Sequence, residues 1–593
     1  MTLLTASQDR ESASGRVGSE SAPAFQAAPP TVESLLLEDF VRLPDSLEIE
    51  VSRAYWEDRG LQSFIHREVP SDITNNGVRA HQVARVLFAN CEEAERRGAL
   101  ADEVVVVEMG MGLGLFARLL MRSFRSLCQQ SERNYFDRLR YYATDRSTRN
   151  LADVNRSGTL DEFARQVRVG SLDAMDPSGF KPSGGSIERL TGCAQAIFHN
   201  YLYDALPHSQ LMRQGGCWYE LHVQTRLQEA WRVDGIDAQS PGHFAERIRR
   251  RDREALAALA RCYEWLAVER SFFPTNANDI PHFDVANRFA EDRLQPFVDA
   301  SSSGSKSVRF WMPWGALDSC GHSLPLLRES GFMLFCDYGV TGLERVLDAR
   351  HYQRYGAGVC IGLNFPLLDS ALSDRDRMCG FDLTIPDGDA ALPLHARLLT
   401  RPESCATRQA FQRSFPADVL ASFDEPVLEA RKLLDSGERR EAFLCFAEAL
   451  QRCDQNWSVA GEWVHCANKA GEPVPSVLKI ARRGLDMNPS CSADLWNELG
   501  DTLLRDERYQ EAEDAYRAAV RIDPRHARSY YNLARTYEAR KDYAAALRAI
   551  GESLSHDQDG SHTDLLLQTQ SELLTAQHRL NESMRRIIEG RYA

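Results

Sequence analysis

Three alternating glycines behind a run of valines form the stretch of this chain best suited to chemistry. Residues 104–107 are all valine, and β-branched side chains of this kind favour a strand buried on both faces. Residues 115–120 carry apolar side chains at helical spacing. A strand, a glycine-rich turn and a helix expose backbone N–H groups to a nucleotide-like ligand, although the same turn also occurs without one. The acid that ends the strand and the three glycines are Glu108, Gly110, Gly112 and Gly114.

Acidic residues follow the next two predicted strands. Asp145 follows residues 139–144, and Asp173 follows a short strand at residues 167–169. The carboxyl ends of parallel strands in a doubly wound sheet meet at one crevice, so these side chains are expected beside the glycine loop. A carboxylate after the second strand accepts hydrogen bonds from ribose hydroxyls in such folds. Asp145 can instead cap a helix beginning near Ser147, and Asp173 can be a solvated turn residue.

A polar and aromatic cluster follows the fourth predicted strand, residues 194–198. A group-transfer site at this strand end must hold an acceptor in line with a donor, and aromatic rings and amide oxygens suit a cationic donor. Asp337 follows another predicted strand, residues 332–336, where it can orient a substrate. The alternative is that Tyr203 is a core residue and that Asp204 caps a helix. The cluster comprises Asn200, Tyr201, Tyr203 and Asp204.

The glycine spacing indicates which ligand the loop binds. The pattern E-x-G-x-G-x-G is tighter than the dinucleotide fingerprint G-x-G-x-x-G. It resembles the first motif of class I S-adenosylmethionine (SAM) methyltransferases, and the resemblance implies SAM as the cofactor. The cofactor-binding residues would be Glu108, Gly110, Gly112, Gly114, Asp145, Asp173 and Asn200. The catalytic residues would be Asn200, Tyr203, Asp204 and Asp337.

Four motifs occur in one order along the chain. They are Glu108-Met-Gly110-Met-Gly112-Leu-Gly114, Asn200-Tyr-Leu-Tyr-Asp204-Ala-Leu-Pro207, Trp218-Tyr219-Glu220-Leu221-His222-Val223 and Cys336-Asp337-Tyr338-Gly339. Together they resemble the MidA family of SAM-dependent methyltransferases, over roughly residues 60–372. The resemblance implies an α/β Rossmann-like methyltransferase domain, and it implies a protein arginine as one candidate methyl acceptor.

The chain departs from the family pattern at three positions. Met111 and Leu113 stand where the family's glycine loop usually carries proline and arginine. Tyr201 stands where the family has a glutamate. Guanidinium recognition favours carboxylates, so a phenol at this position changes the acceptor side of the site more than it changes the methyltransferase class.

The composition bounds the class of protein. A chain of 593 residues is expected to form two to four domains. Its net charge of −15 argues against broad electrostatic binding to nucleic acid. Its 14 cysteines show no C-x-x-C pair and no zinc-like spacing with histidine, so we predict free thiols in a reducing compartment and no metal site. No run of about 18 apolar residues occurs, and we expect a cytoplasmic protein without a membrane segment.

The chain is predicted to divide into three regions. These are a disordered tail at residues 1–30, the methyltransferase domain at residues 31–420 and a repeat domain at residues 421–593. Within the second region, residues 31–100 should be mainly helical, including residues 32–40 and 79–94. Residues 225–305 should form an inserted helical cap over the substrate crevice.

Two further expectations concern the end of the methyltransferase domain. Residues 308–312 and 332–336 should be buried strands that complete its sheet. Gly356, Gly358 and Gly362 suggest turns near the rim of a substrate site.

Helical repeats are predicted from about residue 423. In a unit starting at Ala493, small and large residues fall at the offsets typical of tetratricopeptide repeats. The same pattern recurs after 34 residues, and weaker units begin near Phe423 and Ser458. Four repeats and a terminal helix at residues 565–588 would form an all-α solenoid with a concave face. The residues at these offsets are Trp496, Leu499, Gly500, Ala512, Tyr516, Ala519 and Pro524.

Three hypotheses for function follow. The first is a SAM-dependent methyltransferase whose repeats recruit a protein or peptide substrate to their concave face. The second is an N- or O-methyltransferase of a small metabolite or peptide natural product, with the repeats serving assembly, including assembly into a homo-oligomer. The third is a catalytically inactive scaffold that keeps the methyltransferase fold.

Overall fold

The computed structural model describes residues 34–69, 75–228, 241–300, 307–347, 351–388, 394–415, 417–452, 455–557 and 560–591. The predicted tail at residues 1–30 therefore lies outside the described residues. Backbone proximity divides the chain into two units, and the domain boundaries given above stay a prediction. Unit 1 comprises the described residues up to Ser63, Arg79–Arg156 and Leu160–Ala421. Unit 2 comprises Phe64–Val78, Ser157–Thr159 and the residues from Ser422 onward.

The strands all lie in unit 1. They are β1 (Ser34–Arg42), β2 (Val104–Met109), β3 (Leu139–Asp145), β4 (Val167–Asp173), β5 (Asp176–Pro182), β6 (Ala194–Asn200), β7 (Ser209–Gln214), β8 (Cys217–Gln228), β9 (Leu266–Thr275), β10 (Ser307–Met312), β11 (Leu327–Val340), β12 (Tyr352–Tyr355), β13 (Gly358–Ile361), β14 (Leu363–Asn364), β15 (Asp382–Thr384) and β16 (Leu394–Thr400).

The helices occur in both units. They are α1 (Leu47–Arg59), α2 (Gln62–Ile65), α3 (Gly77–Arg96), α4 (Leu115–Gln130), α5 (Thr148–Ser157), α6 (Pro241–Arg249), α7 (Arg253–Arg261), α8 (Phe283–Phe289), α9 (Gln295–Ala300), α10 (Trp314–Ser323), α11 (Leu343–Val346), α12 (Phe365–Leu372), α13 (Cys405–Ser414), α14 (Ala417–Asp435), α15 (Arg439–Arg452), α16 (Trp457–Ala470), α17 (Val474–Met487), α18 (Ala493–Arg505), α19 (Tyr509–Ile522), α20 (Ala527–Ala539), α21 (Tyr543–His556) and α22 (Thr563–Arg591). In the part of the chain that the structure describes, no helix is long and apolar enough to cross a membrane.

A nine-stranded sheet forms the centre of unit 1. Its strand order is β15-β16-β11-β6-β2-β3-β4-β5, and β14 pairs with β11. The strands β11, β6, β2, β3 and β4 run parallel, whereas β5, β15 and β16 are antiparallel to their neighbours. The chain passes from β2 to β3 on one side of β2 and later forms β6 on the other side of β2. The carboxyl ends of β2 and β6 therefore flank the topological switch point, where ligands bind in open α/β sheets.

The sequence explains the buried centre of this sheet. All six residues of β2 are buried, as the valine run predicts, and α4 packs its apolar face on the sheet. The ring of Phe116 on α4 meets the ring of Phe198 on β6 edge to face, with centroids 6.3 Å apart. The mixed α/β fold predicted for this domain is confirmed.

A second, antiparallel sheet of five strands corrects two predictions. Its order is β1-β8-β7-β10, and β9 pairs with β8. The predicted helix at residues 32–40 is wrong, because residues from Ser34 onward form β1, which pairs with β8 from Ser34 opposite Gln228 to Arg42 opposite His222. Residues 308–312 form a strand as predicted, but that strand is β10 and it joins this second sheet through β7. In both cases a partner far along the chain decides the structure.

The region predicted as a helical cap is only partly helical. Residues 225–305 include α6 to α9, but they also include β9, which pairs with β8 from Leu266 opposite Leu227 to Thr275 opposite Trp218. The strand β9 thus interrupts the predicted helical region from Leu266 to Thr275. The other two predictions in this half hold: α3 covers residues 79–94, and β11 contains residues 332–336.

Unit 2 consists of paired helices. Four pairs, α14/α15 to α20/α21, are followed by the long helix α22, which agrees with the predicted four repeats and terminal helix. Within the third pair, Leu499, Ala512, Tyr516 and Ala519 are all buried. Small residues let the paired helices approach, and the Tyr516 ring fills the space above Gly500.

Candidate functional site

The glycine loop between β2 and α4 adopts a backbone conformation that glycine alone adopts readily. The φ angles of Gly110, Gly112 and Gly114 are +73°, +52° and +70°. The Met111 N–H donates to the Thr144 carbonyl at 2.8 Å, which ties the loop to the end of β3. A Cβ atom built on Gly110 would lie 3.0 Å from the Leu202 side chain. The loop after β2 therefore packs closely against the loop after β6 at Gly110, which has no side chain.

Asp145 lies at the end of β3 and holds the glycine loop. Its Oδ2 accepts hydrogen bonds from Gly112 N–H at 3.3 Å and from Asn150 Nδ2 at 2.8 Å, and its Oδ1 accepts from Ser147 N–H at 2.9 Å. Asn150 also donates to the Gly112 carbonyl at 2.8 Å. Burial raises the pKa of Asp145, whereas these hydrogen bonds lower it. Sequence reasoning missed Asn150, which follows Asp145 by five residues on α5.

Glu108 is buried beneath the loop. Only 1 % of its surface is exposed, and its Oε2 accepts a hydrogen bond from the Tyr141 hydroxyl at 2.9 Å. Its backbone carbonyl accepts from the Thr144 hydroxyl at 2.7 Å. Burial raises the pKa of Glu108 to about 8, so this carboxyl is largely protonated at neutral pH.

The loop after β6 turns sharply at Tyr201. This residue has φ of +59°, which is uncommon for a bulky side chain. Its N–H donates to the Cys336 carbonyl of β11 at 2.8 Å. Its ring meets the ring of Tyr338 edge to face, with centroids 4.8 Å apart. Asn200, the last residue of β6, stands directly before this turn and is 9 % exposed.

Asp337 holds the loop after β6 in place through hydrogen bonds. Its Oδ2 accepts hydrogen bonds from the backbone N–H groups of Leu202 at 3.1 Å, Tyr203 at 2.6 Å and Asp204 at 3.3 Å. Its Oδ1 accepts from Tyr338 N–H at 2.8 Å. With 1 % of its surface exposed, Asp337 holds the loop rather than reaching a substrate directly. This placement suits a positioning role better than the catalytic role predicted from the sequence.

Asp204 and Asp337 form a coupled acid pair. Burial and the neighbouring charge of Asp337 raise the pKa of Asp204 well above the usual carboxyl range. Burial raises the pKa of Asp337 to about 7, and four backbone N–H groups oppose that rise. Neighbouring carboxylates do not both ionise readily, and the four N–H groups favour the charge on Asp337, so Asp204 is the more readily protonated of the two. Asp204 also shares a hydrogen bond with Cys360.

Tyr203 lies in the core of unit 1. It is fully buried, its hydroxyl contacts His199 Nδ1, and the same hydroxyl lies 3.1 Å from Cys320 Sγ. Its ring packs against that of Phe335, with centroids 4.9 Å apart. The position fits the alternative reading of Tyr203 as a core residue, not the predicted catalytic role.

Asp173 is exposed at the end of β4. Its Oδ1 accepts the Met175 N–H at 2.9 Å, which is the turn geometry of the alternative reading. It is also within the electrostatic range of Arg53 on α1. The structure thus leaves Asp173 at the margin of the loops that surround Gly112 and Asp145.

Two further elements line the site, and the sequence pointed to only one of them. Helix α1 adjoins α5, because the Ser147 hydroxyl donates to the Trp56 carbonyl at 3.2 Å. The hairpin β12–β13 turns at Gly356 (φ +58°), where an added Cβ would lie 2.8 Å from the Tyr55 hydroxyl. The Tyr355 side chain of this hairpin is hydrogen-bonded to Tyr201. The glycines of this segment were the one sequence signal for such a rim.

These residues fit SAM as a ligand. The loop offers bare backbone at a helix N-terminus, where a side chain on Gly110 would fill the space towards Leu202. Asp145 Oδ1 accepts one hydrogen bond from the protein and has capacity for another from a hydroxyl. The buried carboxyl of Glu108 carries no positive charge that would repel a sulfonium. The tyrosine rings are uncharged as well, and aromatic ring faces attract cations.

Two family models match parts of the chain. Residues 82–354 match the family model described as "Putative S-adenosyl-L-methionine-dependent methyltransferase". Residues 482–559 match the model described as "Tetratricopeptide repeat". A search of curated proteins finds no match to the chain.

Several solved structures resemble parts of the chain at low identity. One is a COG1565 superfamily member and likely methyl transferase from Burkholderia thailandensis bound to S-adenosyl-homocysteine, with 13% identity and a TM-score of 0.38 over 61% of this chain and 88% of that chain. The MamA protein has 16% identity and a TM-score of 0.23 over 28% of this chain and 86% of that chain. YrrB, a repeat protein with an unusual peptide-binding site, has 18% identity and a TM-score of 0.23 over 28% and 82%.

Proposed function

We propose that this chain, which carries a domain of the putative SAM-dependent methyltransferase family at residues 82–354 and tetratricopeptide repeats at residues 482–559, methylates a protein or peptide substrate. One observation carries the proposal. The glycine loop after β2, the carboxylate of Asp145 after β3 and the strained turn at Tyr201 after β6 are joined by direct contacts at the switch point of the sheet.

The cofactor side of the site uses backbone and carboxylate groups. When bound, SAM supplies an electrophilic methyl group on a sulfonium. The loop Gly110–Gly114 would hold its methionine part, and Asp145 would accept hydrogen bonds from its ribose hydroxyls. Asp173 would lie at the adenine edge, with Glu108 beneath the loop and Asn200 beside it. Asn150 fixes the orientation of both Asp145 and Gly112 and is a positioning residue.

The acceptor side is formed by the turn after β6 and the hairpin β12–β13. Asp337 accepts hydrogen bonds from three successive backbone N–H groups of that turn. The Tyr201 ring packs edge to face against the Tyr338 ring, and the Tyr355 side chain is hydrogen-bonded to Tyr201. Ring faces of this kind attract cations, so an arginine or amine side chain remains a candidate acceptor without the glutamate of the family. The raised pKa of Asp204 favours its protonated form, which can donate a hydrogen bond to an acceptor.

The repeats support a macromolecular substrate. Helices α16, α18 and α20 form one layer of the solenoid, and a polar network crosses it. Glu498 accepts hydrogen bonds from His465 at 2.7 Å and from Asn468 at 3.0 Å, and it pairs with Arg528 at 2.7 Å. Solenoids of this kind hold peptides on their concave face, and we assign the substrate-recruiting role to this layer.

Calorimetry tests the cofactor site. We expect SAM to bind the full chain and expect Gly112→Val to abolish binding, since φ of +52° disfavours a β-branched side chain and valine would distort the loop. Gly216→Val is a matched control, because Gly216 has φ of +83° with open space around an added Cβ and lies in the β7–β8 hairpin, outside the loop. Failure of the wild-type chain to bind millimolar SAM would favour the inactive scaffold.

Transfer of a labelled methyl group separates the substrate classes. A lysate from a strain that lacks this protein would be incubated with radiolabelled SAM and purified full chain. Label in the protein fraction supports the proposal, and label confined to small molecules supports the metabolite or natural-product hypothesis. Asn200→Ala and Asp204→Ala should lower the rate of labelling, and unchanged turnover in both would exclude them from the acceptor site.

A further inference from the structure

A cavity of about 450 Å³ in unit 1 lies between α1 and the segment from Arg251 to Ala257. Cavities that bind ligands measure about 300–1,000 Å³. Three acidic and three arginine side chains line it, and the other lining residues are apolar, with Leu256 the largest. No lining residue belongs to the turn after β6 or to the hairpin β12–β13, which form the proposed acceptor side. The six charged residues are Glu50, Arg53, Glu57, Asp58, Arg251 and Arg253.

The acidic side chains of this cavity are already paired. Each of the three carboxylates forms an ion pair with an arginine. The Asp58 pair is a close one, because Arg261 Nη1 donates to both carboxylate oxygens, at 2.9 and 3.0 Å. A cationic ligand would therefore have to displace an arginine in order to bind these carboxylates. The pairs are Glu50–Arg251, Asp58–Arg261 and Glu57–Arg253.

Arg53 is the exception among the charged residues of the cavity. Within the described part of the chain, its guanidinium forms no hydrogen bond and no ion pair. The same is true, among the described residues, of Arg146, which follows Asp145 directly. Partial burial and the positive charge of Arg146 lower the pKa of Arg53, and three nearby carboxylates oppose that decrease. Two neighbouring guanidinium groups thus have free donors, and an anion between them would relieve their repulsion.

Two hydrogen bonds join the cavity wall to the segment that follows β3. The Ser147 hydroxyl donates to the Trp56 carbonyl at 3.2 Å. The Thr148 hydroxyl donates to the Glu57 carboxylate, also at 3.2 Å. Arg53 precedes these two residues of α1 by three and four positions, which is about one helical turn, so it lies on the same side of the helix. The cavity therefore adjoins the segment that connects β3, with its cofactor carboxylate, to α5.

We propose that the cavity is an anion site for the peptide substrate, in which Arg53 and Arg146 donate hydrogen bonds to the carboxylate or phosphoryl oxygens of one side chain. This inference rests on the proposed function and adds a substrate class to it, because the acceptor protein then carries an acidic or phosphorylated residue. Guanidinium groups bind both kinds of anion through paired hydrogen bonds. Leu256 offers apolar contact to a neighbouring residue. Since the anion site and the acceptor turn are built from different elements, a substrate that occupies both is extended, as a peptide is.

Saturation-transfer NMR with short peptides tests the anion site without any methyl transfer. The probes are four hexapeptides that differ only at one central position, which is glutamate, phosphoserine, glutamine or lysine, between two leucines. The glutamate and phosphoserine peptides should bind the full chain at least about tenfold more tightly than the other two. Both results support the anion site, and the tighter of the two peptides identifies the anion as carboxylate or phosphate.

Charge reversal separates recognition from folding. Arg53→Gln with Arg146→Gln should remove the preference for the glutamate peptide. Arg53→Glu with Arg146→Glu should transfer the preference to the lysine peptide, which is a gain that a folding defect cannot produce. Both arginine side chains are exposed, so circular dichroism should not change. Arg250→Gln is the control and should keep the wild-type preference, because Arg250 is 76% exposed and lies outside the cavity.

The outcomes distinguish the anion site from the proposed function. Equal binding of the glutamate and glutamine peptides to the wild type, or an unchanged preference in Arg53→Gln with Arg146→Gln, would overturn the anion site. A wild-type chain that binds SAM and labels protein but binds all four peptides alike would refute the anion site alone. A chain that prefers the glutamate peptide but does not bind SAM would refute the methyltransferase function and support the anion site.

Discussion

Tyr201, directly after β6, is one of the non-glycine residues with a positive φ angle. A non-glycine residue in the left-handed region costs about 1–3 kcal/mol, and such residues cluster at functional sites. Asp337 maintains the strained turn because it accepts the N–H groups of the three residues that follow Tyr201. The substitution of a phenol for the family's glutamate thus lies at a position whose geometry the surrounding residues enforce.

Asp145 and Asn150 should contribute to SAM affinity in different ways. Asp145→Ala is expected to weaken binding by roughly 1–3 kcal/mol, because it leaves ribose hydroxyls unpaired and releases the Gly112 N–H. Asn150→Ala is expected to cost about 1 kcal/mol, because it only loosens the loop. Calorimetry with SAM measures both values. Asn155→Ala, on the exposed side of α5, is the control, and equal losses in Asn150→Ala and Asn155→Ala would contradict the positioning role.

Glu108 should make the stability of the protein depend on pH. Its pKa is about 8 in the folded state and near 4.5 when exposed, so the folded state holds the proton more tightly. The resulting stabilisation is complete below pH 4.5 and is lost as the pH rises towards 8, by up to about 1.4 kcal/mol per pH unit. In denaturant unfolding, the free energy of unfolding should therefore fall more steeply with rising pH for the wild type than for Glu108→Gln. Parallel curves for the two proteins would contradict this prediction.

At the scale of elements, local signals were predictable and long-range pairings were not. The valine strand, the glycine loop and the repeat helices each carry their pattern within a few dozen residues, and the structure forms them where the sequence predicts. The strands β1 and β9 both form by pairing with β8. In the sequence, β8 lies far from β1 and is separated from β9 by two helices. Helix α1 and the hairpin β12–β13 line the candidate site because of tertiary packing. Only the glycines of the hairpin indicated this from the sequence.

Close helix packing in the third repeat depends on Gly500. A Cβ atom at this position would overlap the Tyr516 ring, with 2.7 Å to Cδ1. Gly500→Ala should therefore destabilise unit 2 by about 1–3 kcal/mol, despite the better helix propensity of alanine. Gly551→Ala on α21 has open space around the new atom and should be neutral or stabilising by up to about 1 kcal/mol. Chemical denaturation followed by circular dichroism compares them, and equal effects would exclude the packing argument.

At the scale of the whole molecule, unit 2 is assembled from separate stretches of chain. The segment Phe64–Val78 belongs to it, although the repeats begin more than 300 residues later. Trp457 Nε1 donates to the Asn75 carbonyl and Gly77 N–H donates to the Gln455 carbonyl, both at 2.8 Å. Arg67 forms an ion pair with Asp494 at 3.0 Å.

Removal of the repeats should therefore expose this segment to proteases. A chain that ends at residue 421 loses every one of these partners, and trypsin should cleave it after Arg67 much faster than it cleaves the full chain. Mass spectrometry of the products over time measures the rate, with cleavage after Arg253, an exposed residue of α7 in unit 1, as the internal reference. Equal rates after Arg67 in the two chains would show that the segment is ordered without the repeats.

The contact between Asn75 and Trp457 also sets an order for synthesis. The two residues are 382 positions apart. At about 5–20 residues per second, a ribosome takes roughly 20–80 s to make Trp457 after Asn75 has been made. During that interval the segment has no repeats to bind, and the nascent chain must keep it from misfolding or from binding other proteins. We therefore expect chaperones to occupy this short stretch on translating ribosomes until the repeats have been made.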